Sequence, residues 1–95
     1  MATNVKNNVV EMTADNDTYG NASMGKLKIK GVRLVAAAAT STAQIKATNT
    51  SGQILCSLAC VANTTDECVI PFTCDVGVIH ADISGAGAIV YVYLE

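Results

Sequence analysis

The residues best suited to chemistry are four cysteines, Cys56, Cys60, Cys68 and Cys74, and the single histidine that follows them, His80. Thiolate and imidazole are the ligands that zinc prefers, so this group first suggests a metal site. The spacing argues against one, because two residues four apart on an extended segment, such as Cys56 and Cys60, are separated by about 13 Å. We therefore assign no metal ligand and no cofactor, and keep a small metal-binding domain as an alternative.

The same four cysteines are candidates for disulfide bonds. Bridges from Cys56 or Cys60 to Cys68 or Cys74 are the natural pairings, and four cysteines allow three connectivities that a sequence does not distinguish. Buried free thiols that pack as small hydrophobic side chains are the other interpretation. Cytosolic thiols usually stay reduced, which favours this second interpretation. Both alternatives stay open at these four positions.

His80 and Asp82 share one face of the segment 78–83. Such a pair, with a cysteine nearby, could serve nucleophilic catalysis. An outward polar pair on an amphipathic strand explains the same pattern without catalysis, because Ile79 and Ile83 occupy the other face. The sequence also has no signature of a zinc protease, a phosphate loop, a nucleophile elbow or a dinucleotide site. We therefore predict no catalytic residue and no enzyme activity.

The clearest strand pattern is Lys26–Leu34, in which three lysines alternate with aliphatic residues. Continued alternation would turn Val32 outward, so we expect a β-bulge at Gly31 that returns the following aliphatic residues to the core. The lysine row predicts either a docking stripe for an acidic partner or an edge strand protected from sheet-to-sheet aggregation. The edge strand is the favoured interpretation.

Short apolar segments separated by turn residues continue to the C-terminus. They predict strands at 43–48, 53–59, 68–72, 75–83 and 88–94, with a hairpin turn at 49–52 and a loop at 62–67. This spacing is typical of an antiparallel sandwich or small barrel. The predicted fold is all-β, a small antiparallel β-sandwich or jelly-roll-like barrel of six to seven short strands over residues 26–95. Residues 1–25, which are polar and weakly patterned, predict an N-terminal arm or lead-in.

The last stretch, residues 88–94, is apolar on both faces. Ile89, Tyr91 and Tyr93 point one way, and Val90 and Val92 point the other. We expect one face to fill the sandwich and the other to lie under a second layer of the chain or under a neighbouring subunit. The residues predicted for an interface are Lys26, Lys28, Lys30, Tyr91 and Tyr93.

The composition limits the function classes. Hydrophobic residues make up 51% of the chain and charged residues 15%, which is below the typical quarter and favours apolar surface buried between subunits. The net charge of −2 and the lack of aromatic residues among the basic ones argue against nucleic acid. No run of about 20 apolar residues predicts a membrane helix. Residues 1–12 lack the apolar segment of a signal peptide, so first folding in a cytosol is expected.

The segment Ile29–Glu95 resembles small uncharacterised proteins of tailed phages. The resemblance lies in the strand at 30–35 (KGVRLV), the hairpin at 45–55 (IKATNTSGQIL) and the Gly-rich turn that leads into VYVYLE at 90–95. It implies a virion structural role, either as a head decoration or cement protein or as a small part of a fibre or tail. Such proteins are commonly symmetric oligomers on a lattice. The resemblance assigns no functional residue.

The predicted function is therefore that of a phage virion structural protein, with capsid decoration by self-association and docking as the first choice. The expected partners are further copies of the chain, with a trimer preferred, and the major capsid protein or another virion protein. The expected location is the virion, after assembly in the host cytoplasm, without nucleic-acid or membrane partners. The alternative is a receptor- or carbohydrate-binding module of a fibre or tail, although only four aromatic residues exist and Tyr91 and Tyr93 look structural.

Overall fold

The computed structural model describes residues 3–6, 8–20, 25–49, 51–69 and 71–95. Within these ranges all regular elements are strands. They are β1 Thr3–Lys6, β2 Val9–Met12, β3 Asp17–Gly20, β4 Leu27–Val35, β5 Ser41–Ala47, β6 Ile54–Cys60, β7 Thr65–Cys68, β8 Phe72–Cys74, β9 Val78–Ser84 and β10 Ile89–Leu94.

The strands form two antiparallel sheets. Sheet A has the order β1-β2-β10-β4-β7, with β8 also paired to β4, and sheet B has the order β3-β9-β5-β6. The predicted all-β sandwich is confirmed, with more strands than the six or seven expected. The extra strands come from the first 20 residues and from a break between β7 and β8. None of the described residues forms a helix of the length and apolarity that crossing a membrane requires.

The core lies between the two sheets and consists of aliphatic side chains at alternating positions. The largest fully buried side chains come from both sheets and are Met12, Ile29, Leu34, Ile45, Ile79, Val10, Val32, Val90, Val92, Cys74 and Ser41. Each fully buried aliphatic side chain contributes about 1.5–3 kcal/mol relative to an exposed one. This contribution makes the alternation along each strand the main determinant of which face points inward.

β10 is a central strand of sheet A. It pairs with β2 along one side and with β4 along the other. Val90 and Val92 are fully buried against sheet B. This places one apolar face of the terminal stretch inside the sandwich, as predicted, and leaves the opposite face on the outer side of sheet A.

A β-bulge in β4 lies at Gly31, as predicted. Tyr93 pairs with Gly31 and Leu94 pairs with Ile29, so the register skips Lys30. Val32 is buried directly after the bulge. A Cβ at position 31 would lie 2.7 Å from the Cys68 carbonyl oxygen, so the close approach of β7 also requires a residue without a side chain.

The described part of residues 1–25 lies within the sandwich. β2 pairs with β10 and β3 pairs with β9, and both Val10 and Met12 are fully buried. The buried Asp17 carboxylate accepts hydrogen bonds from the backbone N–H groups of Thr13 and Ala14. These bonds fix the turn that carries the chain from sheet A to sheet B. The interpretation of this part as a free arm is therefore wrong for the described residues.

Two further expectations differ from the structure. The lysine pattern favours an edge strand for β4, but β4 lies between β10 and the pair β7 and β8. Its lysines alternate because one face of sheet A is exposed to solvent. The predicted loop at 62–67 contains most of β7, and the predicted strand at 68–72 is interrupted between Cys68 and Phe72. Pro71 lies in this interruption, since it has no N–H to donate to the sheet.

Candidate functional site

The outer face of sheet A carries an apolar patch, here named the tyrosine face. Its side chains come from β2, β4 and β10 and are Val9, Val35, Ile89, Tyr91 and Tyr93. All five are half-buried. The register places Ile89 opposite Val35 and Tyr93 opposite Val9, and Tyr91 joins these two pairs along β10. It is the opposite side of the same strand that supplies Val90 and Val92 to the core.

A row of polar side chains crosses the tyrosine face. Glu11, Tyr91, Arg33 and Glu67 are cross-strand neighbours on four adjacent strands. The Tyr91 hydroxyl donates a hydrogen bond to the Glu11 carboxylate, and partial burial together with this carboxylate raises the pKa of Tyr91. Arg33 Nη2 lies 3.1 Å from Glu67 Oε1. Among the described residues, nothing accepts a hydrogen bond from the buried Arg33 Nε.

A depression of about 210 Å³ borders the tyrosine face at the β-bulge. It exists because Gly31 has no side chain and because the chain leaves the sheet after Cys68. Lys30 and Tyr93 line it together, and so does Val69, whose side chain is 74% exposed. The structure thus brings together two of the predicted interface residues beside an exposed aliphatic side chain.

The other predicted lysines lie near the start of β4. Lys26 and Lys28 are both exposed and line a second depression of about 300 Å³, together with Tyr19, Leu94 and Glu95. The five predicted interface residues therefore divide into three places: the start of β4, the bulge and the tyrosine face. An interface role for any of them stays a prediction.

The four aromatic residues divide between the core and the outer face of sheet A. Tyr19 and Phe72 pack against the hydrophobic core, whereas Tyr91 and Tyr93 lie on the outer face of sheet A. Tyr91 and Tyr93 therefore do not fill the core, and their predicted interface role stays a prediction. The signal was present in the sequence, because both tyrosines alternate with the valines that fill the core.

The outer face of sheet B is polar. The His80 side chain is nearly buried, and its Nε2 lies 3.0 Å from Asp82 Oδ1 and 3.1 Å from Asn16 Oδ1. Lys46 Nζ lies 2.6 Å from Asp82 Oδ2. The hydrogen bond from Lys46 is the main cause that lowers the pKa of Asp82, and His80 adds to it. His80 and Asp82 share a face, as predicted, within a network that supplies polar partners to the buried imidazole.

A depression of about 390 Å³ lies beside this network. Carboxylate, amide and hydroxyl groups line most of it, and its residues are Asp15, Thr42, Gln44, Ser57, Leu58, Ala59, Asp82, Ile83 and Ser84. Such groups can hydrogen-bond to a polar ligand, but no aromatic ring is among them to stack on one.

The four cysteines are free thiols in this structure. The Cys56 and Cys68 side chains hydrogen-bond to each other. Cys60 Sγ lies 3.5 Å from the Thr64 carbonyl oxygen, and the buried Cys74 Sγ lies 3.5 Å from the Val78 carbonyl oxygen. Disulfide formation stays a prediction. Among the described residues, no three of the side-chain types His, Cys, Asp and Glu are grouped so as to hold a metal ion.

Comparison with known proteins finds similarity to individual solved structures. No protein-family model matches the sequence, and no curated protein matches it. A chain of the disulfide-linked pili of Bacillus endospore appendages is 12% identical, with a TM-score of 0.42, and the match covers 90% of this chain and 82% of that chain. For the Tobacco streak virus coat protein dimer the identity is 13%, the TM-score 0.38 and the coverage 96% and 88%. For a CBM4 structure the identity is 12%, the TM-score 0.38 and the coverage 98% and 75%.

These similarities are too low to define a family or to assign a function. The class that the structure itself defines is a small antiparallel β-sandwich with two contrasting outer faces. One face is apolar and aromatic, and the other is polar.

Proposed function

We propose that this protein is a structural subunit of a phage virion, with capsid decoration as its first role, and that it acts by self-association and docking. The observation that carries the proposal is the tyrosine face, in which two tyrosines and three aliphatic side chains lie on the solvent side of central strands. Aromatic residues are enriched in interface cores, and contiguous apolar surface typically marks an interaction site. The sequence resemblance to tailed-phage proteins supports a virion as the setting.

The size of the tyrosine face favours a lattice over an isolated pair. The three strands that carry it, about 4.8 Å apart and about 20 Å long, present roughly 300 Å² in projection. A standard stable interface buries about 800 Å² on each partner. A single contact through this face is therefore weak, whereas simultaneous contacts with several neighbours raise the overall affinity without any new type of contact. Decoration subunits held on an underlying shell meet this condition.

The charges beside the tyrosine face favour an acidic partner surface. Lys28 and Lys30 are exposed on the same side of sheet A. Charged groups at the rim of an interface mainly raise the association rate and select the partner. An acidic surface patch on the major capsid protein, or on another virion protein, would complement these lysines. Docking should then weaken as the salt concentration rises.

Particles purified from a culture that carries the phage provide the test. Mass spectrometry should detect this chain at a fixed ratio to the major capsid protein through successive density gradients, and immunogold labelling should mark the head. Absence of the chain from purified particles would contradict the virion role. Labelling confined to the tail would contradict capsid decoration and retain a virion role.

A receptor- or carbohydrate-binding module is the second candidate. The polar depression on sheet B favours it, because Asp82, Gln44 and Ser57 present hydrogen-bonding groups suited to sugar hydroxyls. A glycan array provides the test, with Gln44→Ala as the variant and the outward Thr18→Ala, which does not line the depression, as its matched control. Binding that is lost only in Gln44→Ala would support this function, and a blank array with the wild-type protein would set it aside.

A further inference from the structure

Strands β6 and β7 meet along one long side of the sandwich. β6 is the last strand of sheet B in the strand order, and β7 is the last strand of sheet A. The Ala59 N–H donates to the Asp66 carboxylate at 3.1 Å, and Cys60 Sγ lies 3.5 Å from the Thr64 carbonyl oxygen. Because the two strands run in opposite directions away from the turn between them, the same register brings Cys56 close to Cys68.

The Cys56 and Cys68 thiols are in contact. Their side chains hydrogen-bond to each other, and both belong to or pack against the common core. Cys56 pairs with Ile45 in sheet B, and Cys68 pairs with Val32 in sheet A. Each sheet therefore contributes one thiol to this contact.

We propose that Cys56 and Cys68 are an oxidisable pair whose disulfide links sheet A to sheet B along the β6–β7 side. The Cys68 thiolate attacks one sulfur of a disulfide oxidant, such as oxidised glutathione, and displaces one glutathione thiolate. Cys56 then loses its proton to solvent and attacks the Cys68 sulfur, which displaces the second glutathione. The pair loses two electrons and two protons, and one glutathione disulfide becomes two glutathione thiols.

Burial sets the order of these steps. Desolvation, followed by the neighbouring Cys68, raises the pKa of Cys56 to about 12. Because the thiolate is the nucleophile, Cys56 seldom starts the exchange, and the more exposed Cys68 reacts first. The pair stays reduced in a compartment that is rich in reduced glutathione and closes in an oxidising medium. The slow second step predicts a transient mixed disulfide with glutathione at Cys68.

The sequence permits a direct test of the pairing. Glu67 lies between Cys56 and Cys68, so a protease that cleaves after glutamate separates the two cysteines. In the Cys60→Ser/Cys74→Ser variant, oxidation with glutathione should leave the two fragments joined until a reductant is added. The additional change Cys68→Ser is the matched control and should abolish the link. The disulfide should raise Tm by roughly 10–20 °C, since it closes a short loop in a small domain.

The wild-type protein gives a second measurement that does not depend on the folding of any variant. After oxidation, two of the four thiols should stay titratable in denaturant, and the intact mass should fall by two hydrogen atoms. Four titratable thiols under conditions that oxidise a denatured sample would overturn the proposal. A link between two molecules, or between any other pair of cysteines, would also overturn it.

Discussion

Adjacent residues of β10 should respond very differently to truncation, because they point to opposite faces of sheet A. Val92 is fully buried between the sheets. The change Val92→Ala removes the equivalent of about two buried methylene groups, worth about 1.6 kcal/mol at about 0.8 kcal/mol each. The cavity that is left adds to this loss. We expect the free energy of unfolding to fall by about 2–3 kcal/mol, which lowers Tm by roughly 10–20 °C in a domain of this size.

Tyr93→Ala is the matched change on the outer face. Tyr93 is half-buried and pairs with Val9 and Gly31. Cross-strand pairs of this kind contribute roughly 0.2–1 kcal/mol, so the free energy of unfolding should fall by about 1 kcal/mol or less. Urea unfolding followed by circular dichroism at low protein concentration measures both variants, provided that the m-value is unchanged. Equal losses for the two variants, or a smaller loss for Val92→Ala, would refute the assignment of the two faces.

Three further changes test the details that hold the sandwich together. Gly31→Ala should lower the free energy of unfolding by about 1–3 kcal/mol, because the new alanine Cβ would lie 2.7 Å from the Cys68 carbonyl oxygen. An unchanged Tm would contradict this steric conflict. Asp17→Ala leaves two backbone N–H groups without their acceptor. Urea unfolding should show that the free energy of unfolding falls by about 1–3 kcal/mol. A fall of less than about 0.5 kcal/mol would count against a structural role for these two hydrogen bonds. Lys46 lowers the pKa of Asp82 below its ordinary 3.8. The ion pair therefore stabilises the fold above pH 3.8, and this contribution is lost as the pH falls through the pKa that Asp82 has in the folded protein. Asp82→Asn should flatten this part of the dependence of Tm on pH, and an unchanged profile would contradict the pairing.

The sequence predicts those parts of the fold whose signals are local. The alternation in β4, the break in that alternation at Gly31 and the hairpin between β5 and β6 all follow from residues close together in the chain. β2 is not predictable in the same way, because it has four residues and only Val10 and Met12 enter the core. Its place depends on pairing with β10, about 80 residues away in sequence.

In the candidate site, too, the sequence predicts the features whose signals are local and misses those that depend on distant pairing. The outward position of Tyr91 and Tyr93 follows from the alternation of residues 88–94, whereas the packing of Tyr19 and Phe72 against the core depends on how the strands cross between the sheets. The contact between Cys56 and Cys68 is one of several cysteine pairings that the sequence allows, and the sequence does not single it out. It requires β7 to form in a segment whose polar residues are typical of a loop, Asn63–Glu67.

The tyrosine face is tested most directly by sedimentation velocity over a wide range of protein concentration. The wild-type protein should show reversible self-association at high concentration, because a face of roughly 300 Å² supports only a weak contact. Tyr91→Ser/Tyr93→Ser should shift the equilibrium to the monomer, while the exposed Thr42→Ala on sheet B should behave as the wild type. A wild-type protein that stays strictly monomeric at the highest concentration, or a double variant that associates as well as the wild type, would contradict the account.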